Sequence, residues 1–272
     1  MNDPRLLPSN GRVACENLRD VVAADSYVIP DIFNVTAPVA DLCREPGGAR
    51  DRQLLAGDAV AVLETRDGWA FLRSEKDGYC GYVASEQLGQ SQPATHRICA
   101  PSSHLYSRAN FKSREIMPLS FASLITVTGF EKNFAVTPAG FLPRQHIAEL
   151  GTRERSPAQV ARLFLGTPYL WGGNSRFGID CSGLVQTALL ACGIECPGDS
   201  DLQENVLGRD ATGNPRAGDL LFWKGHVAMM ADDKMLIHAN AHHMAVVIEK
   251  LDAALPRIEA QGDGGVTRHA RL

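Results

Sequence analysis

The sequence predicts an α+β protein in which two small all-β units precede a C-terminal domain built from helices first and an antiparallel sheet afterwards. Three observations predict it. Between residues 37 and 88, short apolar runs are opened or interrupted by Gly–Asp or Asp–Gly pairs, the punctuation of tight strand turns. A weaker copy of that pattern returns between residues 100 and 147. Beyond residue 156 the apolar spacing turns helical and then reverts to strand-like runs.

The chain has 272 residues, 44% of them hydrophobic, enough for two or three domains with real cores. Its net charge of −4, with signs interspersed, gives no reason to expect nucleic acid or an anionic membrane as partner. The seven cysteines are odd in number and include no CxxC pair, which argues against a disulfide framework and for a reducing compartment. The first twenty residues carry Pro, Asn, Arg and Asp where a signal peptide needs an unbroken apolar run, and no later run is long enough to span a membrane. A cytoplasmic protein is the expectation.

Residues 1–34 read as an N-terminal arm, with a helix over Arg12–Ala24 on a loose stripe of Val13, Leu18, Val21 and Val22. Residues 35–92 form the first β unit, through LLAGDAVAVLE, DGWAFLR and DGYCGYV. Residues 93–150 form the second. APVADL at 37–42 corresponds to APSSHL at 100–105, LLAGDAVAVLE at 54–64 to LSFASLITVTGF at 119–130, and GYVASEQL at 81–88 to GFLPRQHI at 140–147. The polar GQSQPATH joins the two small cores.

The third domain takes residues 151–272. Ser156 is an N-cap and Pro157 a first helical residue, before an apolar face of Val160, Leu163 and Phe164 that ends at Gly166. A glycine-rich loop then leads to Cys181, which opens a second helix whose face is Leu184, Val185, Ala188, Leu189 and Cys192 and whose stop is Gly193. A polar loop through residue 219 precedes strands at 219–223, 226–232, 234–240 and 245–251.

A cysteine at a helix start meets unpaired N–H groups and the positive end of the helix dipole, which lower a thiol's pKa toward thiolate. Gly172, Gly173, Gly178 and Gly183 would let backbone pass close to a substrate. The other reading of Cys181 is a small buried hydrophobe. A nucleophilic cysteine needs a base, and His226, at the start of a strand, is the candidate. Pairing 226–231 with 233–238 about Asp232 sets His238 opposite His226, where one imidazole orients the other. His96, His104 and His146 fall in the β units; His242 and His243 lie beside the site as possible supports. A zinc site drawn from Cys192, Cys196, His238 and His242 is disfavoured by spacing, so no metal and no cofactor are expected.

The runs GTPYLWGGNSRFGIDCSGLVQ, GDLLFWKGHVAMM and MLIHANA, in that order over about residues 156–250, resemble the NlpC-type papain-like peptidases of bacterial cell-wall metabolism. The two β units resemble bacterial SH3-like domains, the first more closely. The resemblance implies a papain-like catalytic domain behind two SH3-like barrels, with Cys181 as nucleophile, His226 as base and His238 as orienting residue. The whole layout is most similar to γ-D-glutamyl-L-diamino acid endopeptidases that recycle murein peptides through a thioester. In those, the first SH3-like domain narrows the cleft to peptides with a free N-terminal L-Ala-γ-D-Glu. By the same resemblance Tyr169 helps bind the oxyanion, and Asp180 and Ser182 flank the nucleophile toward substrate. Asp199 and Ser200 receive the peptide's amine and D-glutamyl carboxylate, with Asp58, where that family usually has Glu, and Tyr79 adding contacts from the first barrel. The implied partner is a murein peptide, its third residue diaminopimelate or lysine. Two rivals stay open: a papain-like amidase or acyltransferase acting on a lipid, and a non-catalytic protein that binds wall peptides.

Overall fold

In the computed structural model, which describes residues 3–272, the chain forms two compact units that divide between Thr152 and Arg153. In the first unit, a seven-stranded antiparallel sheet runs in the order Arg50–Leu55, Val39–Cys43, Cys80–Ala84, Trp69–Ser74, Ala59–Arg66, Asp31–Val35, Leu88–Gln90. It curls around a core of Val35, Leu42, Leu54, Val60, Leu72 and Val83. Neighbouring residues of a strand point to opposite faces, and in Ala59–Arg66 both faces are covered, so Val60 through Leu63 are all buried.

The predicted repeat is visible as topology. A second sheet orders Glu115–Ser120, Ser102–Tyr106, Gly140–Pro143, Phe134–Thr137 and Gly129–Glu131 as the first orders its own five leading strands. The 3₁₀ turns Ser85–Gln87 and Arg144–His146 follow corresponding strands. Where the first barrel has the unbroken strand Ala59–Arg66, the second has two pieces, Leu124–Ile125 and Gly129–Glu131. Gly57 marks the seam between the barrels: its φ is +84°, and a Cβ there would stand 2.2 Å from the Leu124 carbonyl oxygen. Only glycine permits that approach.

The helix expected over Arg12–Ala24 is not formed. Val13–Cys15 is a short strand pairing in parallel with Ser26–Val28, and Glu16–Leu18 is one 3₁₀ turn. Val13 and Cys15 pack against Leu63, Phe71 and Cys80 of the first barrel. That burial outweighs a weak local helical preference supported by only four scattered apolar residues. The first two residues of the predicted arm lie outside the described residues.

In the second unit, Ser156 caps α1 (Pro157–Arg162), its hydroxyl accepting from the Gln159 N–H. Helix α2 (Cys181–Ala191) is buried on nearly every side, wider than the single apolar stripe read from the sequence. The polar stretch after it, expected as loop, contains α3 (Ser200–Val206). Gln203 holds α3 down by donating to the Ser182 and Pro197 carbonyls, a tertiary anchor with no periodic apolar signature.

A six-stranded antiparallel sheet follows in the order Arg209–Asp210, Arg268–Arg271, Leu220–Trp223, His226–Met230, Met235–Asn240, Ala245–Lys250. Helix α4 (Leu251–Ile258) covers one face through Ala254 and Ile258 against Trp223, Ala228, Met230 and Leu236. The wide turn Glu259–Asp263 then leads back to the strand Arg268–Arg271, pinned by the pairing of Arg271 and His269 with buried Asp219.

Candidate active site

Cys181 is the first residue of α2, and Asp180 is its N-cap. One Asp180 oxygen accepts from the Gly183 N–H at 2.6 Å and the Ser182 hydroxyl at 3.0 Å, while the other accepts from the Gly172 N–H at 2.9 Å. A cap of this kind stabilises by about 1–2 kcal/mol. Asp180 and Ser182, expected to face substrate, therefore bind the helix start and the glycine loop to each other. The glycines also serve that packing: a Cβ at Gly183 would lie 2.4 Å from the Gly173 carbonyl oxygen.

The strand His226–Met230 passes beside this helix start, and the Val227 N–H reaches the Cys181 sulfur. His226 Nε2 lies 2.8 Å from His238 Nδ1. The hairpin that joins them differs from the expected one: Met229 pairs with Ile237 and Met230 with Leu236, a register two residues away from His226 opposite His238. Asp232 is the reason. Its carboxylate accepts from the Lys234 and Met235 N–H groups and moves the pivot of the turn forward. Because side chains alternate with period two, a two-residue shift leaves both imidazoles on one face, and they meet diagonally.

Sequence reasoning missed the groups behind His238. Glu249 Oε1 lies 2.6 Å from His238 Nε2, and the Asn240 amide lies 2.9 Å from the same nitrogen. Arg257 of α4 closes on that Glu249 oxygen. Burial pushes the Glu249 carboxyl up, but the His238 hydrogen bond and the neighbouring Arg257 outweigh it and hold it at about 2. Glu249 is thus ionised, and as the shorter and charged partner it outcompetes the donor Asn240 amide nitrogen at that position, so His238 carries its proton on Nε2 and donates it to Glu249. His238 Nδ1 then accepts from His226 Nε2–H, and His226 Nδ1 is left as the free base. The available signal was period two: His238 pairs with Val247, and Glu249 is two residues along on the same face.

The electrostatics correct one expectation. Burial, and next the charge of Asp180, push the Cys181 thiol up to about 12, although the N–H groups of Val227, Ser182 and Cys181 pull the other way. Burial, reinforced by His238, lowers His226 to about 3. Desolvation exceeds the helix-terminus effect on this sulfur, so the resting pair is a neutral thiol and a neutral imidazole. His238 is lowered as well, mainly by burial. Histidines whose folded pKa lies below the unfolded value are protonated first in the unfolded chain. Their contribution to stability is complete above about pH 6.5 and declines as pH falls toward about 3. The melting temperature is therefore expected to drop on acidification from pH 7.5 to 5, and to drop less in His226→Asn; equal slopes in the two proteins would contradict this assignment.

A cavity of about 270 Å³ brings His226, His238, Asn240 and Tyr169 together. The Tyr169 phenol is raised by burial first and then by the charges of Cys181 and Asp180. Trp223 packs on His226 with ring centroids 5.6 Å apart. His242 lines the same cavity and is hydrogen-bonded to Gln261, whereas His243 hydrogen-bonds Asn240. Asp199 and Ser200 form the start of α3, which Gln203 ties to the Ser182 carbonyl beside the nucleophile.

The two residues expected from the first barrel serve that barrel. Asp58 Oδ2 accepts from the Leu55 N–H at 2.9 Å and pairs with Lys76 at 2.7 Å. An incoming amine would have to compete with that lysine. Tyr79 is 2% exposed and packs in the barrel core.

Residues 166–258 match the NlpC/P60 family, and residues 42–88 match the bacterial dipeptidyl-peptidase SH3 domain. The chain is 30% identical to a γ-D-glutamyl-L-lysine dipeptidyl-peptidase of Bacillus subtilis over 211 residues, 69% of this chain and 71% of that one. It is 26% identical to dipeptidyl-peptidase 6 of Lysinibacillus sphaericus, covering 82% of this chain and 92% of the relative. Its fold superposes on the crystal structure of an NlpC/P60 family protein from Bacillus cereus with a TM-score of 0.74 at 20% identity, over 89% of this chain and 99% of that one. Behind its SH3-like all-β domain, the papain-like fold expected from the sequence is the fold observed.

Proposed function

Because this chain belongs to the NlpC/P60 family of cysteine peptidases and carries a bacterial dipeptidyl-peptidase SH3 domain, we propose that it cleaves the γ-D-glutamyl–L-diamino acid bond of wall-derived peptides whose N-terminal L-alanine is free. The observation that carries the reading is the hydrogen-bonded run from His226 through His238 to Glu249 beside the Cys181 helix start. It supplies one base of defined tautomer on the strand that packs beside the Cys181 helix. The names of the relatives, which specify γ-D-glutamyl-L-lysine, support the choice of bond.

In this reading the neutral thiol keeps its proton until substrate excludes water from the cavity. His226 Nδ1 then takes the proton as sulfur attacks the D-glutamyl side-chain carbonyl. The Cys181 N–H and the Tyr169 hydroxyl receive the developing oxyanion. As the tetrahedral intermediate collapses, His226 returns the proton to the departing amine of the diamino acid. Water, deprotonated by the same imidazole, hydrolyses the remaining thioester and releases L-Ala-γ-D-Glu. Asp199 and Ser200, at the start of α3, are the groups proposed to hold the dipeptide portion. The substrates are peptides already released from the wall, and the setting is a reducing cytoplasm. An odd number of cysteines without a CxxC pair supports such a compartment.

Incubation with L-Ala-γ-D-Glu-L-Lys, its diaminopimelate counterpart and their N-acetyl forms, read by mass spectrometry, tests the proposal. The expected products are L-Ala-γ-D-Glu and the free diamino acid, with acetylated peptides cleaved at least about 10-fold more slowly, because an unmet polar group is costly to bury. Cleavage after L-alanine, or equal turnover of acetylated peptide, would refute it.

A further inference from the structure

The C-terminal segment contributes a wall of the catalytic cavity that no motif in the sequence announced. Arg257, Ile258, Gln261 and Asp263 line the cavity together with His226 and Tyr169. The segment is held in place at several points. Arg257 donates to Gln261 at 2.8 Å, Gln261 bonds His242 at 3.1 Å, and the strand Arg268–Arg271 pairs with Leu220–Trp223 just beyond.

Asp263 differs from the three acids packed into the interior of this unit. The carboxylates of Asp180, Asp219 and Glu249 are all engaged by N–H groups, guanidinium groups or imidazoles. No hydrogen bond or ion pair takes the Asp263 carboxylate among the described residues, yet it is half-buried in the cavity wall and close enough to act electrostatically on the Tyr169 phenol. The positive charge in the same wall, Arg257, is already neutralised by Glu249. The cavity that His226 lines therefore carries an unmatched negative charge, suited to a cation.

Which part of a peptide reaches this cavity follows from proton transfer. The departing amine must come within hydrogen-bonding reach of His226, so the residue that carries it occupies the space that His226 lines. On the reading given under Proposed function, that residue is the L-diamino acid. We infer that Asp263 is a specificity determinant that receives the side-chain ammonium of the leaving diamino acid. The dipeptide portion lies toward α3, whose residues do not line this cavity.

Kinetics on three peptides test the inference: L-Ala-γ-D-Glu-L-Lys, the same peptide with norleucine, which keeps the length and loses the ammonium, and the N-acetylated lysine peptide. The wild-type protein is expected to prefer lysine over norleucine by about 10- to 100-fold in kcat/KM, the range for a hydrogen bond to a charged group. In Asp263→Asn the lysine-to-norleucine ratio is expected to collapse toward one, and in Asp263→Glu to be largely retained. An unchanged ratio in Asp263→Asn overturns the inference. So does collapse of the free-to-acetylated ratio instead, which would assign Asp263 to the α-ammonium. A wild-type protein that cleaves lysine and norleucine peptides equally refutes the subsite but leaves the proposed function standing, whereas cleavage of neither of these nor of the diaminopimelate peptide refutes both.

Discussion

Replacing Cys181 by alanine is expected to reduce kcat for L-Ala-γ-D-Glu-L-Lys by at least about 10⁴-fold, because no other group near the cavity can form the acyl intermediate. The fold should survive. Cys181 is a small side chain at the start of a helix capped by Asp180, and alanine is compatible with that position. A melting temperature within a few degrees of wild type, together with lost turnover, is the expected pair of results. The wild-type thiol should also behave as a buried, neutral group before substrate arrives. Its alkylation by iodoacetamide should rise steadily through pH 8 with no plateau near neutrality, since burial holds the thiol at about 12. Retained hydrolysis in Cys181→Ala would dismiss the mechanism whatever the fold.

The second large effect is expected at Glu249. Replacement by glutamine keeps the shape and removes the charge that sets the tautomer of His238. A glutamine amide can donate to His238 Nε2, which turns a proton onto Nδ1 and leaves His226 Nδ1 without its free lone pair. A fall in kcat of about 10²-fold is expected with little change in KM. That is less than the loss of about 10⁴-fold when the acid of a serine-protease triad is neutralised, because Glu249 acts through one more ring. The carboxylate also favours the protonated form of both imidazoles, so without it the acidic limb of the kcat profile should move to lower pH. A purely structural role, pinning α4 through Arg257, would lower the melting temperature and leave that limb in place. Partial recovery in Glu249→Asp would agree with positioning.

The elements legible in the sequence are those whose information is local. Ser156–Pro157 announces α1, the Asp–Gly pairs mark the barrel turns, and the short apolar runs near 226 and 235 are strands. The Arg12–Ala24 helix does not form because Val13 and Cys15 pack against Leu63, Phe71 and Cys80 of a barrel distant in sequence. α3 was missed because its anchor is one buried glutamine. Asp58 and Tyr79, expected at the substrate from resemblance alone, are held by Lys76 and by a hydrophobic core. The reactive-thiolate expectation counted the helix terminus and left out desolvation, which a sequence does not express.

By itself the sequence determined the order of units, the helix that begins at Cys181 and the two histidines that share a face, because periodicity and capping are properties of neighbouring residues. Only the tertiary structure decided the hairpin register about Asp232, the protonation of the site and the arrival of Glu249, Arg257 and Asp263 around it. Those depend on burial and on distances between segments that the chain brings together only by folding.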